Sequence, residues 1–426
     1  MHTFVVGNRE ATATWQAIKR YTSHAVDRGI VAGSRLLDNA LAAIHWKPAP
    51  LPQQAEVVTR ASLAAEPITT SESGALSAYR NLFSSYPVDV PGLLVGRQAE
   101  LQAIAEAYEL WEKGRRVSVL IVGRSGSGKT SLVNVAAKTV MGGGAVVRGQ
   151  IRQRVTTKTA LRAEIAGWLG IQDPAKLECA LLEQRRVVVL EQVEHAFLRT
   201  IGQCGAIREL QRLIAATAST TLWVATVSAN SFTFLDSAIA MGRSFSHRIN
   251  LGVASRDDLR RAIELRHGVS GFAFRFGNPP LHHNPAKRLA SRLRSNVNGE
   301  TLFFESLQKE SAGLFRTALE IWSDRVERVE SGIVYVKPAA QPDLSTFAEA
   351  LDIPSLFTLG ALLQHGGLTV EEHADVFQQS ITESRTQIDH LAAREIIEPI
   401  PLEAGFRVHP EALLLVHETL HRRNLL

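Results

Sequence analysis

Apolar and polar positions change their spacing along this chain, and the changes mark out its elements. Over residues 1–48, Ile30, Leu36, Leu37, Leu41 and Ile44 recur at helical spacing. The Pro-rich run "KPAPLPQQ" and a Ser/Thr/Ala-rich stretch then break the pattern. Residues 1–90 therefore read as an N-terminal helical appendage and linker. From "LLVGRQAELQAIAEAYELW" onward a helix leads into the apolar run "RVSVLIVG", after which strand-like and helix-like segments alternate: "AVVRGQ", "AEIAGWL", "RRVVVL", "IRELQRLIAA" and "TLWVATVS". Such alternation predicts an α/β fold over 91–252, a mostly parallel sheet covered on both faces. Residues 253–338 read as a mainly helical lid with one Pro-rich interruption, "FGNPPLHHNPAKR". "QPDLS" opens a last block, 339–426, of three helices and a short strand pair.

Chemistry enters at "GRSGSGKTS". The segment fits the phosphate-loop spacing G-x-x-x-x-G-K-[ST], preceded by a strand and followed by the helix "SLVNVAAKTVM". Gly123, Ser125, Gly126, Ser127 and Gly128 supply a backbone that can bend several N–H groups toward one phosphate, and the helix start adds partial positive charge. Lys129 reaches the outer phosphates, Thr130 offers its hydroxyl to Mg²⁺, and Ser131 completes the nucleotide-binding set.

The strand "VVVL" ends on Glu191, the candidate second contact to Mg²⁺. The next residue is Gln192, where P-loop ATPases carry a second acid. An amide cannot accept a proton, so general-base help at that position is lost. Two rescues remain open: Gln192 orienting a water, or Glu194 swinging in from just past the strand. Glu194 reads otherwise as a solvated helix-start carboxylate. ATP binding with slow hydrolysis is the expectation.

With these motifs in place, the chain resembles the AAA+ ATPases, especially their origin-initiator-like and STAND-like branches. The box "VGRQAEL" ahead of the P-loop carries the resemblance, together with "TLWVATVSANSFTFLD" as a sensor 1 strand and "SAGLFRTALEIW" as a sensor 2 helix. The final block, containing "FTLGALLQHGGLTVEEHADVFQQS" and "FRVHPEALLLVHETL", is similar to the winged-helix domain appended to initiator-like members. The resemblance implies a P-loop NTPase core, a helical lid and a C-terminal winged helix. It implies a sensor role for Ser228, with Thr226 and Asn230 beside it, and turns Arg316 toward the γ-phosphate. It also implies a homo-oligomer in which a neighbour supplies an arginine finger, Arg243 or, as second choice, Arg248.

Charge bears on the partner. The 426-residue chain carries a net +5. From Asp343 to the end there are 13 acidic residues against 5 basic, a net of −8, which leaves +13 for residues 1–342. The basic segments are "VVRGQIRQRVTTKTALR", with five basic residues and no acid, and 255–296, with nine basic against three acidic. Each is either a solvated face or the lining of a nucleic-acid channel. The candidate recognition helix, Thr382 to Arg394, offers Arg385 and Arg394 beside Glu383 and Asp389, which points to protein docking. Two functions follow from the resemblance. One is an ATP-dependent assembly acting on duplex DNA or a DNA-bound complex. The other is a STAND-like signalling or defence switch whose winged helix binds a protein.

The remaining signals narrow little. Apolar residues are 45% and charged residues 21%, typical of globular proteins. No apolar run approaches the roughly 20 residues that cross a bilayer, and the cytoplasm is the expected compartment. Cys179 and Cys204 lack metal spacing and are expected as buried small apolar residues. "HETLH" near the end matches a zinc-protease pattern but reads as a packing helix, and His282-His283 reads as a solvated loop pair.

Overall fold

In the computed structural model, residues 72–142, 146–276, 299–337, 351–400 and 404–425 are described. They fall into two compact units. The larger takes in 86–259, 306–318 and the described residues from 351 on. The smaller takes in 72–85, 260–276, 299–305 and 319–337.

The larger unit is built on five parallel strands: β1 (Ser118–Gly123), β2 (Val146–Gln150), β3 (Arg186–Glu191), β4 (Thr221–Ser228) and β5 (His247–Leu251). Their order across the sheet is β2-β3-β4-β1-β5. β1 and β4 are buried along their whole length, as their unbroken apolar runs require for strands covered on both faces. The covering helices bury one stripe each: in Gly205–Thr217 it is Ile207, Leu210, Leu213 and Ile214, at helical spacing.

Register decides where the chemistry lies. Gly123 pairs with Ser228, Gln150 with Glu191, and Leu190 with Ala225. The ends of β2, β3, β4 and β1 therefore share one edge of the sheet, the carboxyl edge at which open α/β sheets take ligands.

Three helices of the C-terminal block start on side-chain caps. Asp352 caps Ile353–His365, while Thr369 with Glu372 and Ser380 with Glu383 form capping boxes for Val370–Phe377 and Ile381–Ala393. Two short strands, β9 (Ile397–Pro399) and β10 (Phe406–Val408), pair antiparallel, and Leu368 bridges to Phe406. A fourth helix, Leu413–Arg422, closes the block. Leu359, Leu362, Ile388, Leu391, Val416 and Leu420 form its core, with Leu198 of the nucleotide-binding segment packed among them.

The smaller unit adds a sheet that the mainly helical lid expected from the sequence did not include. It contains a three-stranded sheet ordered β6-β8-β7, made of Ala273–Phe276 (β6), Val326–Glu330 (β7) and Ile333–Val336 (β8). β7 and β8 are a hairpin whose turn residues Ser331 and Gly332 both have positive φ, the two-residue turn that matches strand twist. Trp322, Phe83 and Phe274 pack together inside it. Of the expected appendage, residues 1–71 lie outside the described residues, and the helix Glu72–Asn81 belongs to this smaller unit. His282 and His283 also lie outside them. Cys179 is exposed, not buried, while Cys204 is half-buried.

No helix among the described residues is long and apolar enough to cross a membrane.

Two fully buried histidines in the C-terminal block make stability depend on pH. Burial pushes His365 down to about 3, with the nearby Arg154 guanidinium adding to the effect, and pushes His373 down to about 4. Unfolded, each takes a proton near its ordinary value of 6.5, whereas the folded ring stays neutral. Stability is therefore complete above pH 6.5 and falls as the pH drops below it, by about 1.4 kcal/mol per pH unit for each ring. Guanidinium unfolding at pH 7, 6 and 5 should show the midpoint moving steadily lower. A midpoint unchanged from pH 7 to 5 contradicts this.

Candidate nucleotide-binding site

The P-loop spans the gap between β1 and the helix Lys129–Thr139. Gly126 (φ +79°) and Gly128 (φ +95°) hold left-handed conformations that side-chain-bearing residues rarely adopt. A Cβ on Gly126 would meet Cβ of Arg316 at 2.9 Å, so this glycine also admits the sensor 2 candidate. Arg316 N donates to Gly126 O at 3.2 Å, and Phe315 starts the helix that follows. No side chain caps the helix Lys129–Thr139 at Gly128, so its first N–H groups face the loop.

Lys129 turns back over the loop, where Nζ donates to Gly123 O at 2.7 Å and Arg124 O at 3.2 Å. Burial of the ammonium pushes its pKa down. Glu194 raises it, Arg316 lowers it and Glu191 raises it, in that order of size. Three other residues expected at the site thus lie close enough to act on Lys129: Glu194, Arg316 and Glu191.

Glu191 is buried at the end of β3. Its Oε1 accepts from Arg148 Nε on the neighbouring β2 at 2.6 Å, and the same guanidinium contacts Asn134. Gln192 has left-handed backbone angles (φ 59°, ψ 51°). Its Oε1 accepts from Gln150 at 2.6 Å, and its N–H donates to Thr226 Oγ1 at 3.3 Å.

Glu194 departs from the solvated carboxylate expected of it. It is 8% exposed, in the short 3₁₀ turn Val193–Ala196, and its Oε2 accepts from the Ser228 N–H at 3.1 Å. The Ser228 hydroxyl caps the helix Ala229–Ile239 by accepting from Ser231 N at 3.1 Å, so it is the main chain of Ser228 that meets the acid.

Other expected residues lie apart from this group. Ser131 uses its hydroxyl to accept from Val88 N at 3.1 Å. Arg243 is exposed in the turn Met241–Ser244. Arg248 is exposed on the edge strand β5, with its guanidinium over the Phe232 ring at 5.5 Å.

Three arginines with no role expected from the sequence prove to organise the site. Arg97, in the "GRQAEL" box, is 4% exposed and donates to Ser127 O (3.1 Å) and Gly252 O (2.7 Å), fastening the P-loop to the end of β5. Arg148 holds Glu191, and Arg154 holds the turn that carries Glu194. The box that carries the family resemblance contains Arg97 without giving it a role. Arg148 and Arg154 were counted only as part of a basic run. Four of the five basic residues in that run are paired with acids, Arg148 with Glu191, Arg154 with Glu372, and both Lys158 and Arg162 with Glu209, while Arg152 is exposed.

The loop fits a phosphate. Ser127 Oγ and one Arg124 guanidinium nitrogen are buried without a hydrogen-bond partner, polar groups for which an anion in the loop would provide acceptors or a charge partner. Thr130 and Glu191 carry hard oxygen donors of the kind that Mg²⁺ takes.

Arg97→Lys would keep the charge but lose the forked grip on two carbonyls, leaving one of them short of a donor. We expect ATP affinity to fall roughly tenfold, from about 1–2 kcal/mol of lost loop order. Isothermal titration checks this, and unchanged affinity contradicts it.

The AAA ATPase domain family model matches residues 93–239. No curated protein matches the chain. Among solved structures, the Aeropyrum pernix ORC2 protein (ADPNP-ADP complexes) is similar at 15% identity and a TM-score of 0.42, covering 81% of this chain and 98% of its own. The A. pernix ORC1 protein in complex with DNA is similar at 17% identity and a TM-score of 0.39, covering 81% and 97%. The Thermotoga maritima RuvB Holliday junction branch migration motor is similar at 14% identity and a TM-score of 0.35, covering 78% and 95%. Likenesses of this size assign no activity, ligand or partner. The family match and the P-loop geometry agree with each other: residues 93–239 are an AAA ATPase domain, with the P-loop at the end of β1.

Proposed function

We propose that this protein is an ATP-governed AAA+ switch that hydrolyses ATP slowly, with Glu194 as the carboxylate that assists the attacking water. The observation that carries this reading is the buried Glu194 side chain. It is held by the Ser228 N–H, and it is the acid that the Lys129 ammonium senses most. Gln192 cannot take a proton, and its amide oxygen is already engaged by Gln150. Lys129, the P-loop N–H groups and Arg316 bind the phosphates in this reading. Bound Mg²⁺, held by Thr130 and Glu191, would neutralise charge on the phosphate oxygens. Arg148 already pairs with Glu191, which lessens what that carboxylate offers a metal and supports a low turnover.

The C-terminal block is read as a winged helix that docks a protein. Its order supports this: helix, bridging Leu368, two helices, then a strand pair. The outward residues of Ile381–Ala393 include Glu383 and Asp389 beside Arg385, a face that duplex phosphates would not favour. The pairing of Arg148, Arg154, Lys158 and Arg162 with acids of this chain lowers the net charge that this basic segment offers duplex DNA. Exposed Arg243 and Arg248 are the groups a neighbouring copy would receive.

Steady-state turnover tests the chemistry. Glu194→Gln should lower kcat by about 10²-fold or more while ATP affinity stays within a few-fold. Wild-type turnover in that variant removes Glu194 from the reaction. Lys129→Ala should abolish ATP binding, and retained affinity would remove the P-loop from the account. The partner is tested by duplex-DNA binding between about 50 and 200 mM salt, with and without ATP. We expect no ATP-dependent binding. A steep, ATP-dependent loss of affinity with salt overturns the switch reading in favour of the DNA-acting one.

A further inference from the structure

We propose that Arg154 is a positioning residue for hydrolysis, one that makes the alignment of Glu194 conditional on the docking of the C-terminal block. The inference rests on the reading of Glu194 given above.

Arg154 lies between β2 and the helix Lys158–Trp168, and its side chain is 9% exposed. All three guanidinium nitrogens are used. Nη1 donates to Glu194 O (3.0 Å) and Phe197 O (2.9 Å), Nη2 donates to Gly367 O (2.8 Å), and Nε pairs with Glu372 Oε1 (2.7 Å). A planar fork can serve four acceptors in this way, whereas a lysine ammonium cannot. Two of the acceptors belong to the turn that carries Glu194. The other two belong to the C-terminal block: Gly367, and the capping-box glutamate of Val370–Phe377.

The turn needs such an anchor, because Val193–Ala196 is a single 3₁₀ winding with little order of its own. Val155 N donates to His195 O at 2.9 Å, and His195 Nδ1 bonds Ile151 O at 2.7 Å, so the Arg154 loop reinforces the turn's own single bond from His195 N to Gln192 O.

The same end of the C-terminal block makes two more hydrogen bonds to the nucleotide-binding segment, and its Gly366 comes close to Glu194. Ser231 Oγ donates to Gln364 O at 2.5 Å, Arg199 N donates to His365 Nε2 at 3.1 Å, and a Cβ on Gly366 would lie 3.5 Å from Glu194 Cγ. The sensor 1 helix start, the Glu194 turn and the C-terminal block therefore meet around one buried guanidinium. A partner that pulls the block away would remove half of Arg154's acceptors and loosen the turn.

Steady-state kinetics on the full chain test this. Arg154→Ala should lower kcat about 10- to 100-fold, the scale of a misplaced catalytic group, with KM for ATP within about threefold. Arg154→Lys should recover little of that loss, since charge without the fork cannot hold four acceptors. Glu372→Gln keeps a residue suited to the capping box and removes only the ion pair; it should lower kcat about threefold or more. In a Glu194→Gln background, Arg154→Ala should cost nothing further. Wild-type or raised kcat in Arg154→Ala overturns the inference, and so does an undiminished loss in the Glu194→Gln background. If Arg154→Ala does not fold, Glu372→Gln decides, and wild-type kcat there overturns it. Wild-type kcat in Glu194→Gln alone instead defeats the reading on which the inference rests.

Discussion

The parallel register of five strands is the constraint on which the rest depends. Once Gly123 is paired with Ser228, and Gln150 with Glu191, four strand ends share one edge of the sheet. The P-loop, the Ser228 amide, the Glu191 carboxylate and the Glu194 turn are then neighbours by construction. Loops that leave such an edge need only a few well-chosen bonds to become a site, and three arginines supply them: the buried Arg97, the half-buried Arg154 and the exposed Arg148. Arg97 fastens the P-loop, Arg148 holds Glu191, and Arg154 holds the turn behind Glu194.

These arginines also explain why a chain with net positive charge need not present a nucleic-acid surface. A guanidinium in a poorly hydrated place is costly unless it finds partners, and Arg97 and Arg154 are matched to backbone carbonyls and a carboxylate, with the buried Nε of Arg97 the one donor of the two left without an acceptor. Arg162 is matched in the same way at Glu209, which is 3% exposed and shared with Arg212 and the exposed Lys158. Charge spent inside the fold is not available outside it.

How much of this the sequence disclosed depends on whether the deciding partner was local. The P-loop was legible because Gly126 and Gly128 are demanded by backbone geometry at fixed spacing. β3 was legible because a strand buried on both faces must be apolar throughout. Glu194 was not: a carboxylate two residues past Gln192 reads as solvated until β4 brings the Ser228 N–H to it. Arg148 and Arg154 looked like members of one basic run because their partners, Glu191 and Glu372, lie 43 and 218 residues away. The hairpin at Ser331-Gly332 did carry a local signal, the alternation "VERVE" and "IVYV" around a two-residue turn. The helical pattern on either side of it obscured that signal.

The central claim is that the triphosphate lies between Lys129 and Glu194, with Glu191 kept on Arg148. A structure of the chain with Mg²⁺ and a non-hydrolysable ATP analogue tests it most directly. The account predicts the γ-phosphate bound by Lys129, with the Glu194 carboxylate turned toward it and the Arg148–Glu191 pair intact. A γ-phosphate faced by Gln192, with Glu194 still pointing into the protein interior, would contradict it.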